Sequence, residues 1–421
     1  MKNNAIYKKI LFIVLILIIS FFVLFISIYK FINNFGFVEK GSDISVTNYH
    51  GQLSAFKLND NEVFFFGSNR PECPTERGAC WIYNMPIKET PSEIYNVENS
   101  THKIIHLPNN ILYQPDGILL SGDKLLLVNA AKTKKLPKDN IGIKGTDFSI
   151  YKTLILIDLK SNKVIQTYDK KINKKYEPNQ QYTSYTLLNN GKILIIDFKN
   201  KIAEIYNPKQ NDSIIVDFPF NKNKKNVVLP HKQEQALVFG QTKNNYNDSD
   251  TVIIYDDKNK TFKEFGHTYR RSNPYIISLD GNKYLILGGI IYNPHNAMNL
   301  DVREIEIFDA NTGTYEIINK LPYLLKYDWR TDRNSFGIVS IDGRYVLMTG
   351  GTQGGYPFIR TLKSSLIIDT KKNTIKRGPN LKYPFSSHQM LKVNDVKILI
   401  FDDDSWVYHK KTQIFNLNKR R

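Results

Sequence analysis

Arginines and aromatic rings, rather than a nucleophile or a set of metal ligands, carry the chemistry that this chain can offer. Arg270, Trp329, Arg330, Tyr356 and Arg360 fall in polar stretches between apolar runs, with Arg70, Tyr269, Arg271 and Arg333 in similar positions. A guanidinium grips a carboxylate or phosphate with two parallel hydrogen bonds, and an exposed aromatic ring suits sugar or protein contact. Glu72, Glu76 and Asp402 are available as acids, but no motif singles one out. His102 and His106 are four apart. On a strand rising about 3.3 Å per residue they stand about 13 Å from each other, too far to chelate one ion. Asp402, Asp403 and Asp404 offer carboxylates to a cation, yet calcium takes about six or more oxygens, and a strand-end turn fits the run better. Nucleophile elbow, P-loop and dinucleotide fingerprint are all missing. The reading therefore expects no metal and no cofactor.

The formal charge of +18 invites a nucleic-acid reading. Its lysines are scattered through turns, as at Lys222, Lys224 and Lys225 or Lys371 and Lys372. No basic-aromatic recognition module accompanies them, so no specific nucleic-acid partner is expected. Cys73 and Cys80 are the two cysteines of the chain, seven positions apart. In an oxidising compartment such a pair ties a loop as a disulfide; a zinc site needs further soft ligands, which the segment lacks. Two free thiols are the alternative.

A recurring unit must position these side chains. Seven times between about residue 50 and the end, an apolar strand leads through a tight polar turn into a second apolar strand. That second strand ends in a diglycine at Gly288-Gly289 and Gly350-Gly351, and in single glycines at Gly67 and Gly240. A hairpin follows, opened at Tyr95-Asn96, Ile157-Asp158, Tyr206-Asn207, Tyr255-Asp256, Phe308-Asp309, Ile368-Asp369 and Tyr408-His409. Seven positions after each opening residue stand His102, Val164, Ser213, Phe262, Tyr315, Ile375 and Phe415. Turn dipeptides such as Asp342-Gly343 and Asn190-Gly191 agree with this pattern. Repeats of about 40–50 residues built from short strands indicate a propeller. Alternation along a strand predicts that Leu285 and Leu287 face one neighbouring blade while Tyr284 and Ile286 face the other.

The diglycine and the seven-residue spacing resemble the kelch repeat family over roughly residues 49–417. The resemblance implies an all-β, seven-bladed propeller of four-stranded blades. Each repeat is read as supplying its whole blade, with residues 405–408 and 412–417 as the last two strands. Whether residues 44–47 add a closing strand stays open. Kelch repeats often carry an arginine just before the first strand, which implies a bracing role for Arg271 and Arg333.

Residues 10–29 are apolar and uncharged, the length of a bilayer-spanning helix, without the small-residue site at which a signal peptide is cut. Lys2, Lys8 and Lys9 precede the stretch and place the N-terminus in the cytoplasm. The domains read as a cytoplasmic tail (1–9), a transmembrane signal anchor (10–29), a stalk or linker (30–48) and an extracytoplasmic propeller (49–421).

In each blade the first-to-second and third-to-fourth turns share one face, and the remaining connections share the other. Long segments (68–92, 130–150, 168–183, 290–302, 319–334 and 352–361) fall almost wholly in the second set. Function tends to sit on loops displayed by a rigid scaffold. The favoured reading is a membrane-anchored module that binds a protein or an acidic glycan through Arg270, Trp329, Arg330, Tyr356 and Arg360. The alternative is a carbohydrate-active enzyme resembling the kelch-type sialic-acid epimerases, with an acid/base pair beside arginines. One outcome is checked by peptide mapping alone. Non-reduced digests of native protein should contain Cys73 linked to Cys80, and reduction should loosen that loop at a cost near the low end of about 2–4 kcal/mol. Both thiols free in fresh protein would remove the disulfide.

Overall fold

Burial on both faces is what the apolar second strands of the repeats require, and the architecture supplies it. The computed structural model describes residues 12–24, 26, 35–43, 54–66, 92–105, 111–113, 117–120, 123–132, 151–169, 183–198, 200–220, 227–241, 249–293, 298–323, 327–328, 333–354, 360–401 and 411–417. These build a seven-bladed, all-β propeller of antiparallel blades, joined by three two-stranded hairpins. Blade 3 shows the plan: Thr183–Leu187, Ile193–Asp197, Ile202–Asn207 and Asp212–Asp217 pair in sequence order. First strands of adjacent blades meet around the axis, as Thr183–Leu187 meets Val227–His231 and Phe336–Ser340 meets Gln389–Lys392. Fourth strands form the rim and are largely exposed, as in Thr101–Ile105 and Thr314–Lys320. In blade 2 the first strand is broken into Ile111–Tyr113 and Gly117–Leu120, which pair with opposite ends of Lys124–Lys132.

Every inter-blade interface holds its own apolar cluster, seven in all. Leu285 and Leu287 join the cluster between blades 5 and 6, while Tyr284 and Ile286 join the one between blades 4 and 5. This is the alternation expected from sequence. At about 25 cal/mol per Å² of apolar surface removed from water, a strand buried on both faces contributes about twice what a one-sided strand does.

The seven-residue spacing is a strand register. Tyr95 lies opposite His102, Tyr206 opposite Ser213, Tyr255 opposite Phe262, Phe308 opposite Tyr315 and Ile368 opposite Ile375. The residue that follows each opening position turns the chain. The side chains of Asn96, Asp158, Asn207, Asp256, Asp309 and Asp369 accept the backbone N–H two residues on. Four residues after each, Ser100, Asn162, Asn211, Lys260, Gly313 and Asn373 take positive φ. Asp and Asn favour such turns because their short side chains mimic a backbone acceptor. At the diglycine, a Cβ on Gly350 would lie 2.5 Å from the carbonyl oxygen of Phe385. With φ of +62° as well, glycine is required there.

Blade 7 departs from the expected plan. Its strands are Gln389–Lys392, Lys397–Phe401 and Thr412–Leu417, and its outer strand is Gly36–Lys40 from the other end of the chain. Lys397 pairs with Asn416, as Tyr345 pairs with Asp369 in blade 6. Phe415-Asn416 is therefore the seventh hairpin-opening pair, in place of Tyr408-His409. The residue opposite Phe415 is Val38. The stalk assigned to residues 30–48 thus contains a propeller strand, and residues 405–408 and 44–47 lie outside the described residues. The physical reason is that the ring is closed by pairing the two ends of the chain, so this register has no local spacing to reveal it. Phe35 seals the joint against Tyr345 and Phe415, at 6.0 and 6.4 Å between ring centroids.

Residues 12–24 and Ile26 are helical, and their apolar side chains are exposed, Phe12 at 63% and Phe21 at 68%. Among the described residues, no helix is long and apolar enough to cross a membrane. Ring closure gives a direct test by truncation. Removing residues 1–34 should leave the melting temperature of the propeller near its full-length value, whereas removing residues 1–43 should lower it sharply. Phe415→Ala should cost about 3–5 kcal/mol in denaturant unfolding. A truncation at residue 43 that melts like the longer form would show that Gly36–Lys40 does not close the ring.

Candidate functional site

Two adjacent arginines at the end of one strand have opposite surroundings. Thr261–Arg271 is the outer strand of blade 4, and its final residues pair with Ser249 at the start of the third strand. Arg271 is buried; its Nη1 donates to the carbonyls of Gly288 (3.1 Å) and Glu304 (2.9 Å), and Nη2 lies 3.7 Å from Oε2 of Glu306. It braces blade 4 to the diglycine of blade 5. Arg270, one residue earlier, is exposed on the long-loop side.

The long-loop face carries extra secondary structure in blades 5 and 6. Ile290–Asn293 pairs with Met298–Asp301 in blade 5 and adjoins the outer strand of blade 4. Thr352–Gln353 pairs with Arg360–Thr361 in blade 6, and Tyr327–Asp328 pairs with Arg333–Asn334 in the connection between these blades. Arg360 stands exposed opposite Gln353, and Leu300 is 53% exposed on the blade 5 hairpin. Topology therefore puts Arg270 and Arg360 on the same face, with the blade 5 hairpin and Leu300 between them in chain order. Trp329, Arg330 and Tyr356 lie outside the described residues, as do Cys73, Cys80, Glu72, Glu76, Asp402 and His106. Arg333 sits in register opposite Asp328. Among the described residues, no group of three or more His, Cys, Asp or Glu side chains is placed to hold a metal ion.

On the opposite face, polar side chains bond both between blades and within them. Asp257, buried between blades 3 and 4, accepts hydrogen bonds from Asn190 (3.0 Å), Lys192 (2.8 Å), Tyr255 (3.0 Å) and Lys260. Burial alone raises its pKa, but the bonds from Lys192, Lys260 and Tyr255 outweigh it and hold the carboxylate below its ordinary range. Arg344 grips Asp369 through two bonds of 2.8 and 2.6 Å, and that contact holds Asp369 low as well. Lys397 reaches Glu98 across the seam between blades 7 and 1 at 2.6 Å.

A second set of polar residues escaped the sequence reading although its signal is local. Glu93, Glu204, Glu306 and Gln413 occupy the same third-strand position in blades 1, 3, 5 and 7, within Glu-Ile-Tyr-Asn, Glu-Ile-Tyr-Asn, Glu-Ile-Phe-Asp and Gln-Ile-Phe-Asn. All four are fully buried. Blades 2, 4 and 6 place Ile155, Ile253 and Leu366 there. Gln413 accepts the amides of Lys382 (2.6 Å) and Tyr383 (3.2 Å), and Glu306 accepts that of Tyr269 (2.7 Å). Ser213 donates to Glu204 at 2.6 Å. Buried polar groups of this kind fix backbone segments rather than meet ligands. Burial pushes the Glu306 carboxyl up to about 7, against the pull of Arg271 and the Tyr269 amide.

No protein-family model matches the chain, and a search of curated proteins returns no relative. Among solved structures it is similar to a fungal alcohol oxidase of the AA5 family, in complex with copper. The TM-score is 0.61 at 12% identity, over 91% of this chain and 77% of that one. At that identity the likeness supports the propeller fold alone.

The two buried carboxyls give opposite pH signatures. Asp257 has a folded pKa below 3.8, so its contribution is present above that value and is lost as pH falls through the folded pKa. Glu306 is raised from 4.5 to about 7, so its contribution is full below 4.5 and is lost as pH rises through about 7. Urea unfolding across this range should show Asp257→Asn flattening the acid limb and Glu306→Gln removing a downward slope between about pH 5 and 7. An unaltered slope in Glu306→Gln would mean that this carboxyl is ionised throughout.

Proposed function

We propose that this protein is a membrane-tethered propeller outside the cytoplasm that holds a protein or an acidic glycan on its long-loop face. The observation that carries the reading is the one-sided elaboration of the ring. On one face, tight turns are tied to neighbouring blades through Asp257 and Lys397 and within blade 6 through Arg344 and Asp369. On the other, three added hairpins project from blades 5 and 6 and the connection between them, with Arg270, Arg360 and Leu300 exposed. Sequence position assigns Trp329, Arg330 and Tyr356 to the same loops. Guanidinium groups beside aromatic and aliphatic surface suit a carboxylate-bearing ligand whose remainder is apolar or sugar-like. Binding needs no more than these contacts. Acid/base catalysis needs a positioned pair, which the sequence does not single out.

The tether is residues 10–29, an uncharged apolar stretch. Within it, residues 12–24 and Ile26 expose apolar side chains around a helix. Such surface is stable against lipid tails and unstable in water.

A thermal-shift screen including sialic acids and other acidic sugars should find a stabilising ligand. Arg360→Glu and Arg270→Glu should each weaken it about ten- to a hundredfold, the worth of a charge-assisted hydrogen bond. Unfolding free energies should stay within about 0.5 kcal/mol of the parent, since both side chains are exposed. Loss of folding in either variant would make that arginine a brace. Turnover of a sugar acid by the parent protein would replace binding with catalysis.

A further inference from the structure

The strand that closes the ring also fixes which way the ring faces. Gly36–Lys40 runs antiparallel to Thr412–Leu417, with Gly36 opposite Leu417 and Lys40 opposite Gln413. Leu417 lies at the tight-turn end of blade 7, where its amide donates to Val396 in the first-to-second turn at 2.6 Å. Phe35 packs with Ile341 and Tyr345, the ends of the corresponding turn in blade 6. The chain therefore comes from the helical segment onto the tight-turn side of the ring. Eight residues separate Ile26 from Phe35, and that length spans at most about 30 Å.

The other end of the chain leaves from the same place. Leu417 is followed within four residues by Lys419, Arg420 and Arg421. Four residues of chain reach at most about 14 Å. Basic clusters beside a membrane anchor are drawn to anionic headgroups. On the opposite side stand the long loops, including the hairpins of blades 5 and 6.

We propose that the tight-turn face lies against the bilayer, with Lys419, Arg420 and Arg421 at anionic headgroups, and that the long-loop face is turned away from it. This rests on the tether reading above. It also narrows the partner: a site directed outward meets a soluble or envelope-borne protein or glycan, not a lipid of the membrane that carries it.

The test uses the full chain reconstituted into phosphatidylcholine vesicles with and without phosphatidylglycerol, containing a headgroup-attached spin-label quencher. A fluorescent amino acid replaces either Asp395, exposed in the tight turn beside Leu417, or Gln353, exposed on the blade 6 hairpin. Quenching should be several-fold stronger at position 395 than at position 353. Changing Lys419, Arg420 and Arg421 together to Gln should reduce quenching at 395 in anionic vesicles to its level in neutral ones. Equal or stronger quenching at 353, in protein that floats with the vesicles, overturns the orientation. Unchanged quenching at 395 in the triple variant overturns the role of the basic cluster. Protein that does not float with vesicles overturns the tether itself, and the orientation with it.

Discussion

Each second strand of this propeller must be covered on both faces, and that demand can be met only if every blade has two neighbours. In blade 1, Val63 and Phe65 are covered by blade 7 while Phe64 and Phe66 are covered by blade 2, and all four are fully buried. A blade at the end of an open row would leave one of these faces in water. The hydrophobic effect therefore acts around the whole circle, and the pairing of Gly36–Lys40 with Thr412–Leu417 is what completes it. Stability is distributed over seven thin interfaces rather than gathered in one core.

Much of this was legible because it is local. The spacing from Tyr255 to Phe262 is a strand register, and the Asp that follows Tyr255 is a turn cap. Both are set within a few residues and recur in each blade. The closing strand was not legible, because Gly36-Phe37-Val38-Glu39-Lys40 buries only alternate side chains and meets its partner across almost the entire chain. Without that partner, Tyr408 could be mistaken for the opening residue that Phe415 provides.

The site was less legible for a related reason. Arg270 and Arg271 are neighbours of identical chemistry, and which becomes a brace depends on strand phase at the blade edge. Period-two alternation turns one toward Gly288 and Glu304 and the other toward solvent. A residue type can announce what it is able to bind, whereas the choice between backbone and ligand belongs to the sheet. The two faces differ in the same sense. Polar side chains at the tight turns are bonded within their own turns or to the next blade, whereas the added hairpins opposite expose Arg360 and Leu300.

The buried Glu/Gln position has a consequence for how the ring divides. On its strand that position points the same way as Tyr95, Tyr206, Phe308 or Phe415, toward the preceding blade. Polar seams thus fall between blades 7 and 1, 2 and 3, 4 and 5, and 6 and 7. Ile155, Ile253 and Leu366 keep the intervening interfaces apolar at this level, Asp257 bridging blades 3 and 4 nearer the tight turns. Blades 1 and 2, 3 and 4, and 5 and 6 form three doublets, each sealed by hydrocarbon alone at this depth. An odd-membered ring cannot pair off completely, and the remaining singlet is blade 7. It is bounded by a polar seam on each side and is also the blade assembled from both ends of the chain. The circle is three cemented pairs and a keystone.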